Sequence, residues 1–230
     1  MAATPRIVAL VPMKGHSERV PNKNFRHFNG KPLYRWIVDA LLELDEVAEV
    51  VINTDARATF ESQGVGAFPR VRLRDRKPEL CGDFVSMNKV LADDVANVPA
   101  DIYLMTHSTN PLLLPATIRK AIEHYTASVA AGKADSIFAV NRFQTRFYAE
   151  DGRPINHDPA NLIRTQDLEP WYEENSNLYL FSAESFAESG ARIGVRPAMF
   201  VTPRAESLDI DDAEGWRMAE AVSIGREKLG

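Results

Sequence analysis

Cysteine is nearly absent from this 230-residue chain. The single thiol, Cys81, excludes an internal disulfide, and no Cys/His cluster has the spacing of a structural zinc site. Cys81 is expected to be a small buried apolar residue rather than a catalytic thiol. Long hydrophobic runs are missing too: none approaches the roughly 18 residues of a membrane helix. The apolar core of the opening MAATPRIVALVP is too short for a signal peptide, so a soluble, cytoplasmic protein with no membrane partner is expected. Positive charge is not in excess. With 27 Lys and Arg against 32 Asp and Glu, the net charge of −5 argues against nucleic acid as a partner. Any anion must then be held by a local basic site. Internal repeats and low-complexity tracts are lacking, as are both common phosphate fingerprints, GxxxxGK[ST] and GxGxxG.

What is present is an average globular composition, 45% hydrophobic and 26% charged, enough for one domain over residues 1–230 carrying an insertion. Apolar runs predict strands at Ile7–Val11, Glu49–Asn53, Ala67–Leu73 (broken by Pro69), Ile102–Met105 and Ser136–Val140. Between them, helical periodicity covers Leu33–Leu44, Ala56–Gln63, a segment capped by Ser86 and running to Val95, and Thr117–Ala131. Such alternation predicts an α/β fold, a Rossmann-like, mostly parallel sheet flanked by helices. Ligands then belong at the carboxyl ends of the first, second and fourth strands. The pattern lapses over Arg142–Asn175, polar and weakly periodic, which reads as an inserted lobe. It resumes with Leu178–Phe181, Ala183–Glu188, Met199–Thr202 and a last helix over Ala213–Ile224.

Three stretches can carry chemistry. The loop after the first strand packs Lys14, Gly15, His16, Ser17, Arg19, Lys23 and Asn24 around two prolines. Cations and glycine-region amides at a strand end suit a triphosphate, although an ordinary solvated turn has the same look. In Asp209-Ile210-Asp211, an extended backbone turns both carboxylates to one side, where they can share one Mg²⁺; alternatively Asp211 or Asp212 simply caps the final helix. Arg164-Thr165-Gln166-Asp167 and the 173–177 stretch offer groups for a polyhydroxylated acidic ligand, or plain surface. His107 and His157 are acid/base candidates or surface histidines.

Taken in order, these segments resemble the acylneuraminate cytidylyltransferases, also called CMP-sialic acid synthetases. The family's opening A-R-x-x-S-K-x-x-P-x-K-N is similar to Met13-Lys14-Gly15-His16-Ser17-Glu18-Arg19-Val20-Pro21-Asn22-Lys23-Asn24, followed by Gly30-Lys31-Pro32-Leu33. Asn53-Thr54-Asp55 resembles S-T-D, and Arg76-Lys77-Pro78-Glu79-Leu80 resembles R-P-x-E-L, with Asp83 and Ser86 at matching distance. Thr106–Leu112 is similar to L-Q-P-T-S-P-L, Arg164–Leu168 to R-R-Q-D-L, Glu174–Tyr179 to E-N-G-A-I-Y, and Leu208–Asp211 to I-D-I-D.

The resemblance implies a nucleotide-diphospho-sugar transferase type of fold and an enzyme that joins CTP to an acidic nonulosonic sugar, giving CMP-sugar and pyrophosphate. It implies Lys14, Gly15, Ser17, Arg19, Lys23, Asn24, Arg76 and Ser86 as nucleotide-binding residues. Lys14, Arg19 and Asp211 would be catalytic, and Asp209 and Asp211 would hold Mg²⁺. His107, Arg164, Gln166 and Tyr179 would meet the sugar. It further implies a homodimer in which the 142–175 lobe is the dimerisation arm. The chain departs from the family pattern at Lys14, Glu18, the His107-Ser108-Thr109-Asn110 loop and Thr165, so the nucleotide side matches more closely than the sugar side. Competing readings are activation of another 3-deoxy-ulosonic acid, a glycosyltransferase using its DxD pair, and a non-catalytic nucleotide-binding regulator.

Overall fold

A computed structural model describes residues 4–229. The first strand, β1 (Ile7–Leu10), is apolar and buried at every position, as a strand covered on both faces must be. A small hairpin of β2 (His27–Phe28) and β3 (Lys31–Pro32) leads into α1 (Leu33–Leu42). Then come β4 (Val47–Thr54), α2 (Arg57–Ser62), β5 (Val71–Asp75), α3 (Met87–Asn97), β6 (Ile102–Thr106) and α4 (Pro115–Ala130). The second half holds β7 (Ser136–Phe143), β8 (Trp171–Phe181), α5 (Ala183–Ser189), β9 (Pro197–Val201) and α6 (Ala213–Leu229).

The main sheet has seven strands in the order β5-β4-β1-β6-β8-β7-β9. Strands β5, β4, β1 and β6 run parallel, β8 runs against both neighbours, and β9 is parallel to β7. The chain leaves β1 toward β4 and later returns to β1's other side as β6. The carboxyl ends of β1 and β6 therefore flank the crevice where the winding reverses, the favoured ligand position of an open α/β sheet. One sheet face packs on α1 and α4 through residues such as Ile37, Leu41 and Ile118; the other packs Leu91 and Phe186 of α3 and α5. A third cluster joins Val20, Phe28, Leu33, Leu112, Ile210 and Trp216, tying three loop segments and β2 to α1 and α6.

The structure changes several expected boundaries. The strand expected at Ala67–Leu73 begins only at Val71. Pro69 has no N–H for a ladder and Arg70 takes a positive φ of 61°, while Val65–Ala67 forms a 3₁₀ turn. Ser86 occupies the N-cap position of α3 but makes no side-chain cap bond. Cys81 is half-buried in a loop rather than in the core, its Sγ 3.5 Å from the Lys77 carbonyl.

The irregular lobe is shorter than expected, because Arg142 pairs with Tyr172 and Phe143 with Trp171. Residues 144–170 form the tip of a long β7–β8 hairpin, braced by Gln144 Nε2 donating to the Gln166 and Leu168 carbonyls and by Phe147 stacked on Trp171. Within β8, the Glu174–Tyr179 motif is a bulge. Val140 pairs with Glu174, whereas Phe138, two residues earlier, pairs with Tyr179, and Ser176 sits at φ 56°. Asn175 Nδ2 donates to Thr202 Oγ1 at 2.7 Å and Asn177 Nδ2 to the Glu206 carbonyl at 3.1 Å, so these amides stitch the bulge to its neighbours.

Candidate active site

A cleft of about 350 Å³ opens at the carboxyl ends of β1 and β6. Its walls include Lys14, Ser17, Glu18, Arg19, Lys23 and Asn24 from the first loop, Arg76 after β5, Asp83 and Met87 before and in α3, and His107 to Thr109 after β6.

The first loop is held by its backbone. Met13 N donates to the Asn53 carbonyl at 2.9 Å, and Gly15 N to Asp55 Oδ1 at 2.7 Å. A Cβ at Gly15 would lie 2.5 Å from the Ala56 Cβ, so only glycine admits this close approach. Asn24 is likewise committed: Nδ2 donates to the Lys14 carbonyl at 2.7 Å, and Oδ1 accepts from Ser108 Oγ at 2.6 Å. It ties the first loop to the β6 loop. Lys14 Nζ reaches Asp83 Oδ1 at 2.6 Å, and Glu18 lies beside Asp83, so two acids and one amine share the cleft rim.

The carboxylate pair is fixed through the residue between its members. Ile210 is fully buried, its N donates to the Thr109 carbonyl at 2.9 Å, and its carbonyl accepts from Lys23 Nζ at 2.8 Å. Period-two alternation then leaves Asp209 and Asp211 on the opposite side from Ile210. Asp211 Oδ1 is 3.2 Å from Arg19 and 3.6 Å from Lys23. Burial lowers the Lys23 pKa, with both aspartates opposing. Loss of solvent raises that of Asp209, the Thr109 hydrogen bond opposes, and the Asp211 charge raises it further. The cap of α6 falls to the next residue, Asp212, whose Oδ1 accepts from Gly215 N at 2.8 Å. Asp209 and Asp211 are thus left with no capping duty. Among the described residues no group of three metal-ligating side chains assembles. Two hard oxygen donors of like charge beside a cation-lined cleft nonetheless fit Mg²⁺, which is held by one or two carboxylates with phosphate and water completing its shell.

Arg76 is buried and clamped by one residue: Nε donates to Asn53 Oδ1 at 2.9 Å and the guanidinium NH2 to the Asn53 carbonyl at 2.8 Å. His107 is half-buried. Burial, then the charges of Arg192 and Lys23, push its pKa down to about 4, so its ring is neutral at pH 7.

Four expected site residues lie elsewhere. Ser86 lines a neighbouring pocket with Asn88 and Arg192, which adjoins the cleft at Met87. Tyr179 is fully buried, with its hydroxyl bonded to Glu174 and Ser176 and capped by Arg192, whose guanidinium lies 4.2 Å from the ring centre. Arg164 and Gln166 are exposed on the hairpin tip and do not line the cleft, and Arg164 pairs with Asp167 at 2.7 Å. His157 is also on the tip, 2.9 Å from the Tyr148 hydroxyl. Arg192, in the same pocket as Ser86, carries no signal in the sequence: nothing in Ala191-Arg192-Ile193 marks it, and only folding carries it to Tyr179 and toward His107.

The family model described as "Cytidylyltransferase" matches residues 8–200. N-acylneuraminate cytidylyltransferase B of Danio rerio is 30% identical over 219 residues, covering 92% of this chain but 50% of that protein. The chain therefore spans about half the length of this relative. CMP-N,N'-diacetyllegionaminic acid synthase of Legionella pneumophila is 26% identical over 239 residues, covering 97% of this chain and 99% of that protein. Among solved structures, a CMP:2-keto-3-deoxy-manno-octonic acid synthetase complexed with CTP superposes with a TM-score of 0.66 at 15% identity, over 96% of this chain and 99% of that one; at this identity the likeness concerns the fold. The matched region begins inside β1 and ends inside β9, so it spans every strand that shapes the cleft, and the chain belongs to the cytidylyltransferase family.

Proposed function

We propose that this protein transfers CMP from CTP to an acidic nonulosonic sugar, N-acetylneuraminate or a relative, in an Mg²⁺-dependent reaction that releases pyrophosphate. The observation that carries this reading is the cleft itself, where Lys14, Arg19 and Lys23 line one wall and Asp211 contacts two of those cations. The named activities of the Danio and Legionella relatives support both the nucleotide and the class of acceptor.

In this reading the three cations take the triphosphate oxygens, and Arg76 faces the nucleoside. The anomeric hydroxyl of the sugar attacks the α-phosphorus in line. The new O–P bond forms as the bond to the β-phosphate bridging oxygen breaks, and the electron pair leaves with pyrophosphate, whose charge Lys14, Arg19 and Lys23 neutralise. The hydroxyl proton passes to a carboxylate of the Asp209/Asp211 pair. Mg²⁺ held by these two aspartates would neutralise phosphate charge and polarise the reacting phosphoryl group. His107, neutral, meets the sugar as a hydrogen-bonding group rather than a cation.

A cytoplasmic homodimer belongs to the same reading. Arg164 and Gln166 stand on a hairpin tip that also exposes Tyr148, Ile155, Leu162 and Ile163. A partner's tip is what would bring such residues to a sugar site. No helix among the described residues is long and apolar enough to cross a membrane.

The test is incubation with CTP, Mg²⁺ and a panel of 3-deoxy-ulosonic acids, following pyrophosphate release and the phosphorus signal of the CMP-sugar. Release of a nucleoside diphosphate from a nucleotide sugar would instead indicate a glycosyltransferase. Turnover with UTP or ATP but never CTP would overturn the reading.

A further inference from the structure

The most deeply buried carboxylate near the cleft is one the transfer reaction does not use. Asp94, on α3, is 1% exposed and lies beneath the nucleotide wall. Its Oδ1 accepts from Asn53 Nδ2 at 2.7 Å. Asn53, itself fully buried, presents its Oδ1 to Arg76 Nε at 2.9 Å and its backbone carbonyl to the same guanidinium at 2.8 Å. The three side chains form a line from helix to sheet to cleft: Asp94, Asn53, Arg76.

The direction of this line follows from donor and acceptor chemistry. Arg76 has only donors to offer, so the amide of Asn53 must turn its oxygen toward it. An asparagine amide can flip, and the flipped form would set NH₂ against N–H. An acceptor on the far side prevents the flip, and Asp94 is that acceptor. Its own place is kept by Arg74, whose Nε is 3.0 Å from Asp94 Oδ1. Arg74 also pairs with Asp93, and Asp93 with Lys77 at 2.6 Å. Asp94 Oδ2 makes no hydrogen bond among the described residues. Two of the guanidinium nitrogens are thereby engaged on one edge, and NH1 is left for the cleft.

We propose that Asp94 is a positioning residue for the nucleotide site: acting through Asn53, it sets the direction in which Arg76 presents its guanidinium to the nucleotide. The proposal rests on the cleft being a CTP site, and Asp94 itself touches no substrate.

A double-mutant cycle with CTP binding by calorimetry tests it. Asp94→Leu removes the acceptor at similar volume, and Arg76→Ala removes the group being positioned. Asp94→Leu is expected to weaken CTP about tenfold in the wild-type background and less than about twofold with Arg76→Ala present, since coupled residues depart from additivity. Asp94→Asn keeps an acceptor oxygen and is expected to bind CTP within about twofold of wild type. If Asp94→Leu does not fold, Asn53→Ala takes its place in the same cycle with the same expectation. Equal losses in both backgrounds, or no loss from either substitution, would overturn the positioning role while leaving the CTP site intact. A wild-type protein that does not bind CTP would overturn the nucleotide reading and this proposal with it.

Discussion

Lys14 Nζ lies 2.6 Å from Asp83 Oδ1, so the first cation of the cleft is already engaged by a carboxylate of the opposite wall. A triphosphate bound as proposed would have to displace that carboxylate. The pair is solvent-exposed and worth little in itself, so Asp83→Asn is expected to tighten CTP binding by only about two- to fivefold. The gain should shrink as salt is raised. Glu18, which lies beside Asp83 at the same rim, is expected to act in the same direction when changed to Lys. Calorimetric titration at two ionic strengths checks both. Retained binding with lost turnover in Glu18→Lys would give that acid a part in the transfer.

Asp211 and Asp212 are adjacent but do different work. Asp211→Ala is expected to lower kcat at least about 100-fold, because it breaks the carboxylate pair proposed to hold Mg²⁺ and take the proton. The fold should hold, since the helix cap is elsewhere. Asp212→Ala is expected to cost about 1 kcal/mol of stability through loss of the bond to Gly215 N while leaving kcat near normal. Steady-state kinetics and thermal melts on the two variants give opposite patterns, or the assignment fails.

Gly15 allows the first loop to lie against Ala56. In Gly15→Ala the new Cβ would meet the Ala56 Cβ at 2.5 Å, and the loop must move. The bond from Gly15 N to Asp55 would be lost, and the cations Lys14 and Arg19 displaced with it. A rise in KM for CTP of about tenfold or more is expected, larger than any change in melting temperature, since misplaced groups near the chemistry cost rate steeply. Unchanged kinetics would show that the loop adapts.

Two titratable groups, the buried Asp94 and the half-buried His107, give opposing pH dependences. Asp94 is pushed by burial up to about 6, so the folded state holds that proton more tightly than the unfolded state. Its ionisation therefore erodes stability as pH rises from about 4 through 6. His107 is pushed down to about 4, so the unfolded state takes up a proton first. Stability is lost as pH falls from about 6.5 through 4. Melts from pH 4 to 8 should show Asp94→Asn gaining on wild type as pH rises, and His107→Gln losing less than wild type on acidification. Parallel curves for all three proteins would contradict both shifts.

The α/β class, the central strand, most of the helices and the loop segments that line the cleft are legible in the sequence. These are local matters. Ile7–Leu10 is apolar at every position because both faces are covered, and a cation-rich loop directly after it has to emerge at the strand's carboxyl end. The Asp209/Asp211 alternation was legible for the same reason, since a strand-like period of two needs no tertiary information. Only the fold decided the rest. Asn24 lines the cleft as its place in the first loop suggests, but only the fold shows that its amide also ties that loop to Ser108 through Oδ1 and to the Lys14 carbonyl through Nδ2. Asp211 and Asp212 are equal candidates for the cap until Gly215 N selects the latter. Tyr179 is sealed beneath Arg192, and Arg164 and Gln166 ride outward on the hairpin. Asn53, Asp94 and Arg76 are separated by up to 41 positions, and no period in the chain links them. Hydrogen-bond direction and burial are properties of neighbours in space, and such neighbours are assigned only when the sheet forms.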